Sequence, residues 1–178
     1  LDLLAGDDSN PRTIGLRGWA LIHLGRCEEA IRALRHDLVE QGPRVDLLIN
    51  LAFAHAHLGQ LRKARTLSEQ ARHLAPADLS VTFNVASYQA LLGDYMAAAQ
   101  VLRDAQRFYP SHPKLACALA EMYVRLGKVT EGHQELRRAR QANQGGGPYD
   151  RAVLAANEAY LLFKLRRRSQ VETVESLR

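Results

Sequence analysis

Leu92–Pro110 reads LGDYMAAAQVLRDAQRFYP. Leu-Gly opens the stretch. A very small residue, Ala98, follows five places after the glycine, then Leu102 and Ala105 at helical spacing, and a proline closes it. A glycine ends a helix without steric cost because it adopts the left-handed cap, and a proline cannot continue one. The stretch therefore reads as a turn followed by one helix. The same arrangement recurs on either side, in HLGRCEEAIRAL (His23–Leu34) and HLGQLRKARTLSEQARHLAP (His57–Pro76). The glycines Gly25, Gly59, Gly93 and Gly127 stand 34 residues apart (59 − 25, 93 − 59, 127 − 93), each after a leucine. A fixed period in this range marks a repeat architecture. Its stability comes from unit-on-unit contacts rather than one central core.

With the ladder glycine as position 15 of a 34-residue unit, position 8 is Gly18, Ala52, Ala86 and Ala120. Position 20 is Ala30, Ala64, Ala98 and Gly132, and position 27 is Asp37, Ala71, Ala105 and Ala139. Small residues at these places let helices approach closely. Position 24 is Leu34, Ser68, Leu102 and Leu136, and position 32 is Gly42, Pro76, Pro110 and Gln144. This pattern resembles the tetratricopeptide repeat, which has small residues at 8, 20 and 27 and proline at 32. The resemblance extends over residues 11–144 and weakens over 148–178. It departs from the pattern at Arg17 (position 7), at His55 and Gln89 (position 11) and at Ser68 (position 24). It implies an all-α, right-handed superhelical solenoid of antiparallel helix pairs, about four and a half repeats long.

The expected pairs are 11–24 with 27–41, 45–58 with 61–74, 79–92 with 95–108, and 113–126 with 129–142. Residues 1–10 read as an N-terminal cap or the remnant of a preceding repeat, with Ser9 or Asn10 capping the first helix and Pro11 in its first turn. Residues 145–178 read as a glycine-rich loop and a C-terminal partial repeat or capping helices. In the latter, one helix over Asp150–Arg168 precedes a second in SQVETVESLR, after a loop about five residues longer than the others.

Composition narrows the function. The formal net charge is +5, with basic clusters at Arg62-Lys63-Arg65, Arg137-Arg138-Arg140 and Arg166-Arg167-Arg168. Such an excess suits acidic partners, membrane headgroups or nucleic acid, or reads as a solvated outer face. Nucleic acid is disfavoured, because the first cluster falls on outer helices. No apolar run approaches the roughly 20 residues of a transmembrane segment, and no signal peptide is visible. The two cysteines, Cys27 and Cys117, sit in the first and fourth units, too far apart to bond to one another. That usage fits a reducing compartment, and a cytoplasmic location is expected. The first residue is Leu1 rather than methionine, which reads as an excised segment or processed product. Alanine- and arginine-rich usage suggests a bacterial genome.

No catalytic residues, cofactor site or metal site emerge. His55 and His57 point to different faces of one helix. His23 and His57 share position 13, but two ligands do not make a zinc site. The sequence GKVT (Gly127–Thr130) lacks the upstream glycine of a phosphate loop.

The resemblance places a partner-binding stripe on positions 2, 5, 6, 9, 12 and 13 of each first helix, lining a concave groove. It implies a peptide-binding groove of Trp19, His23, Asn50, Phe53, His57, Asn84, Ser87, Lys114, Glu121, Arg125, Asn157 and Tyr160. Asn50, Asn84 and Asn157 share position 6, where an amide can pair with a peptide backbone or with a neighbouring helix. Trp19, Phe53 and Tyr160 are aromatic anchors or inter-repeat packing. Grooves that clamp a C-terminal carboxylate carry Lys and Asn where this chain has Gly15 and Trp19, and Lys and Arg where it has Ser80 and Asn84. That clamp is not expected. The expected function is a non-catalytic protein–protein interaction scaffold, of the kind found in chaperone-like adaptors, binding a partner peptide or helix. The alternative is a regulatory ligand- or peptide-sensing domain of a larger enzyme or transcription regulator. Exposed solenoid ends would permit homo-oligomers.

Overall fold

The computed structural model describes residues 11–176, with the side chains of 15–160, 162 and 163. The reading of residues 1–10 and the arginines at 166–168 fall outside the described backbone and side chains respectively. The described residues form nine α-helices and no strand. The first helices of the four units are α1 (Pro11–His23), α3 (Val45–His57), α5 (Leu79–Leu91) and α7 (Pro113–Arg125). The second helices are α2 (Cys27–Gln41), α4 (Leu61–Leu74), α6 (Tyr95–Ala105) and α8 (Val129–Ala142). Both series start every 34 residues (45 − 11 and 61 − 27 for the first step), so the sequence period is the structural period.

The turns explain why. Gly25, Gly59, Gly93 and Gly127 have φ of 75°, 71°, 83° and 75°. At three of them the cap is closed by two crossed backbone hydrogen bonds. Gly59 N–H donates to Ala56 O (2.9 Å) and Gln60 N–H to His55 O (2.9 Å), and Gly25–Arg26 and Gly127–Lys128 repeat the pattern. This is the Schellman arrangement, and it needs a left-handed residue at the glycine. Helix starts are capped where the sequence offers an acceptor. The Asp78 carboxylate accepts from Ser80 N–H (2.7 Å) and Val81 N–H (3.1 Å) ahead of α5. Asp94 accepts from Ala97 N–H ahead of α6.

The described residues pack as two compact units, divided between Gly93 and Asp94. In the first, α1, α2 and α3 close on a core of Leu21, Ile22, Cys27, Ala30, Leu34, Leu47, Leu51 and Ala54. Burying each leucine contributes about 2 kcal/mol. The small residue at position 8 is demanded by this packing: a Cβ on Gly18 would lie 2.6 Å from Leu34 Cδ2. In the second unit α7, α8 and α9 enclose Ala116, Ala120, Leu136, Ala139 and Leu154.

The departures at positions 11 and 24 are all buried in the first unit. His55 Nδ1 pairs with Gln60 Oε1 at 2.8 Å, and Gln89 Nε2 donates to Glu69 Oε1 at 3.0 Å. Ser68 is fully buried, and its Oγ has no partner among the described residues.

Beyond residue 142 the structure departs from expectation. One helix, α9 (Pro148–Ser176), replaces the expected pair. It starts one residue past the period (113 + 34 = 147), so the connection of residues 143–147 is not lengthened. The cause is the residue at the fifth rung. Position 161 (127 + 34) is leucine, not glycine, and no glycine or proline follows Pro148. Nothing supplies a left-handed turn, and the helix runs on. α6 also ends at Ala105 rather than 108, its last residues tightening into turns in which Phe108 and Tyr109 N–H donate to Ala105 O.

Candidate functional site

Positions 9 and 13 are four residues apart and so lie one above the other on a helix. In α1 they are Trp19 and His23, and in α3 they are Phe53 and His57. The two helices pack against each other within the first unit, which lines these side chains up. The Trp19 and His23 rings are 4.1 Å apart, His23 and Phe53 6.2 Å, and Phe53 and His57 4.6 Å in an edge-on contact. None of the four is buried: Trp19 is 52% and Phe53 36% exposed. The result is an accessible aromatic and imidazole row across two repeats.

At its Trp19 end the row meets a cleft of about 430 Å³ lined by Gly15, Leu16, Trp19, Arg44, Asp46 and Asn50. Leu16 there is 62% exposed. Gly15 and Asp46 fall at positions 5 and 2 of the stripe but were not among the expected groove residues, and Arg44 lies off the stripe. Arg44 precedes α3 and pairs with Asp46 in the cleft, a contact that helical periodicity does not foretell.

The three asparagines read at position 6, Asn157 through the expected five-residue offset, do not share one role. Asn50 donates from Nδ2 to Gly15 O of α1 at 3.0 Å, tying two repeats together and leaving Oδ1 and its second N–H. Asn157 donates to Val153 O within its own helix at 2.9 Å. Asn84 is half-buried, and no hydrogen bond engages its amide among the described residues. Ser87, at position 9 of α5, is exposed.

The second unit places different chemistry at the matching positions. Glu121 and Arg125, at 9 and 13 of α7, pair at 3.4 Å, and the Arg125 guanidinium lies 5.9 Å over the Tyr95 ring. Lys114 Nζ stands 5.9 Å from the centre of the Tyr149 ring. Cys117, Glu121, Asn157 and Tyr160 meet around a void of about 20 Å³, too small for a ligand. Burial pushes the Cys117 thiol up to about 11. Both cysteines are free. Among the described residues no group of three His, Cys, Asp or Glu side chains could hold a metal ion, and no helix is long and apolar enough to cross a membrane.

Regular helix pairs with an open, ring-lined face define a helical-repeat protein. Residues 45–70, which span α3 and most of α4, match the family model for a tetratricopeptide repeat. Among solved structures the chain is similar to TTC0263, a thermophilic tetratricopeptide-repeat protein of Thermus thermophilus, at 20% identity over 90% of this chain and 85% of that one, with a TM-score of 0.68. It is similar to MamA at 16% identity over 79% and 77% of the two chains, TM-score 0.67. It also resembles a double mutant, MamA RS-1 ArsTM, at 17% identity over 92% and 97%, TM-score 0.64. No curated protein sequence matches it. Residues 45–70 thus match a tetratricopeptide repeat, and the chain has the all-α helical-repeat fold of the tetratricopeptide-repeat structures it is similar to.

Proposed function

We propose that the chain is a non-catalytic interaction module that holds a peptide segment of a partner protein against the α1–α3 face. The tetratricopeptide-repeat fold supports the general role, since proteins of this fold are generally scaffolds for protein–protein contact. The observation that carries the finer reading is the accessible row Trp19–His23–Phe53–His57. Rings that stay open to solvent add nothing to the core of a monomer, whereas rigid aromatic side chains are the commonest anchors of a protein interface. The cleft beside Trp19 offers room for one apolar side chain of the peptide. The free Oδ1 of Asn50 and the unengaged amide of Asn84 offer acceptors and donors to its backbone.

The test is capture of partners from the native lysate by wild type and by the double variant Trp19→Ala, Phe53→Ala. A partner lost by the variant, at unchanged helicity and melting temperature, supports the assignment. A partner held equally by both proteins refutes it. Each truncation is expected to cost about 1–2 kcal/mol of binding.

A further inference from the structure

A second cleft, of about 440 Å³, opens between α2 and α4 in the first unit, on side chains that the α1–α3 face does not use. Its floor is Leu51 and His55 of α3, and its apolar walls are Leu38 of α2 and Leu67 of α4. Arg35, Arg62 and Lys63 stand around it, and no carboxylate lines it. Arg35 and Arg62 form no ion pair among the described residues. Lys63 Nζ reaches only a neutral oxygen, Gln60 Oε1, at 3.1 Å.

His55 sharpens the picture. It is 4% exposed, and its Nδ1 lies 2.8 Å from the same Gln60 oxygen. An amide oxygen only accepts, so Nδ1 carries the proton in the neutral ring. Nε2 has no partner among the described residues. A buried polar ring with one free nitrogen, an apolar floor and three cations without carboxylate partners thus share one opening. Its volume lies in the range of small-molecule sites, which are apolar with a few convergent polar groups.

From this complementarity we propose that the α2–α4 cleft binds a small amphipathic carboxylate. The apolar chain lies over Leu38, Leu51 and Leu67, and the carboxylate is held by Arg35 and Arg62. Guanidinium and carboxylate match in geometry as well as charge, which favours a carboxylate head over a neutral one.

The experiment is calorimetric titration of the whole chain with decanoate below its micelle-forming concentration. Decyltrimethylammonium and the peptide acetyl-Glu-Leu-Leu-Glu-amide serve as comparison probes. Decanoate is expected to bind saturably, one per chain, and the cation not at all. The double variant Arg35→Glu, Arg62→Glu alters exposed positions and is expected to keep its helicity while weakening decanoate binding about tenfold or more, the scale of one lost charge-assisted hydrogen bond. Phe53→Ala is expected to leave decanoate binding unchanged, which separates this site from the α1–α3 face. Absence of saturable decanoate binding, equal affinity in the charge-reversed variant, or equal binding of the cationic probe would overturn the proposal. Binding of the acidic peptide in place of decanoate would overturn it in favour of a second peptide site.

Discussion

Replacing Gly59 by alanine tests the rule that generates the whole chain. The residue has φ of 71°, and an added Cβ would meet nothing within 4 Å. Any loss of stability therefore comes from the backbone alone. A left-handed conformation costs an L-residue about 1–2 kcal/mol. Alanine also restricts the unfolded chain, which stabilises by about 0.4–1 kcal/mol. The balance is a loss of about 1 kcal/mol, or a melting temperature about 2–4 °C lower for a chain of this size. Gly147 supplies the control, because a Cβ there also meets nothing and its φ is not in the left-handed range. Only the unfolded-chain effect remains, so Gly147→Ala is expected to raise stability slightly. Gly59→Asn should fall between wild type and Gly59→Ala, since asparagine visits the left-handed region more readily. The assay is denaturant unfolding followed by far-ultraviolet circular dichroism, with amide exchange across residues 55–64 as a local readout should the array not unfold in one step. Gly59→Ala and Gly147→Ala moving the midpoint in the same direction by the same amount would refute the reasoning.

Ser68→Ala removes a fully buried hydroxyl that has no partner among the described residues and is expected to stabilise the chain by about 1–3 kcal/mol, read as a higher denaturation midpoint. Asp78→Ala removes the acceptor of two N–H groups at the start of α5 and should cost about 0.5–2 kcal/mol in the same measurement. Burial holds the Cys117 thiol protonated up to about 11, above its ordinary value of 9.0, so its reaction with an aromatic disulfide at pH 8 should be much slower than that of a free thiol. Because the folded state keeps this proton longer than the unfolded one, stability should fall as pH rises from about 9 towards 11, and Cys117→Ala should remove that part of the slope. Equal slopes in the two proteins would contradict it.

The helix pairs were legible because their punctuation is local. One left-handed glycine per unit sets the turn, and the eight helices of residues 11–142 start on that period. The C-terminal helix was misread for the same reason. A second helix was expected after Arg168, yet no glycine or proline follows Pro148 to turn the backbone. In the candidate site, helical spacing set Trp19, Phe53 and Tyr160 on one expected stripe but left open whether they are exposed or pack between repeats; all three are exposed. The hydrogen-bond partners do not. Asn50 reaches Gly15 O in the neighbouring repeat, where residue 15 carries no Cβ to crowd the carbonyl, and a substitution at Asn50 would test packing as much as binding. Asn84→Ala is the cleaner probe of an amide contact with a peptide. The α2–α4 cleft depends on side chains from three helices meeting, which no single stripe reveals.

Trp19 is the sole tryptophan of the chain and stands at the end of the proposed binding row. The most direct measurement is its fluorescence during titration with a partner purified by capture on the wild-type chain. A partner peptide seated on the α1–α3 face buries the indole, so the emission should shift to shorter wavelength and acrylamide quenching should weaken in proportion to occupancy. A partner that binds saturably while Trp19 emission and quenching stay unchanged would place the interface elsewhere and contradict the account.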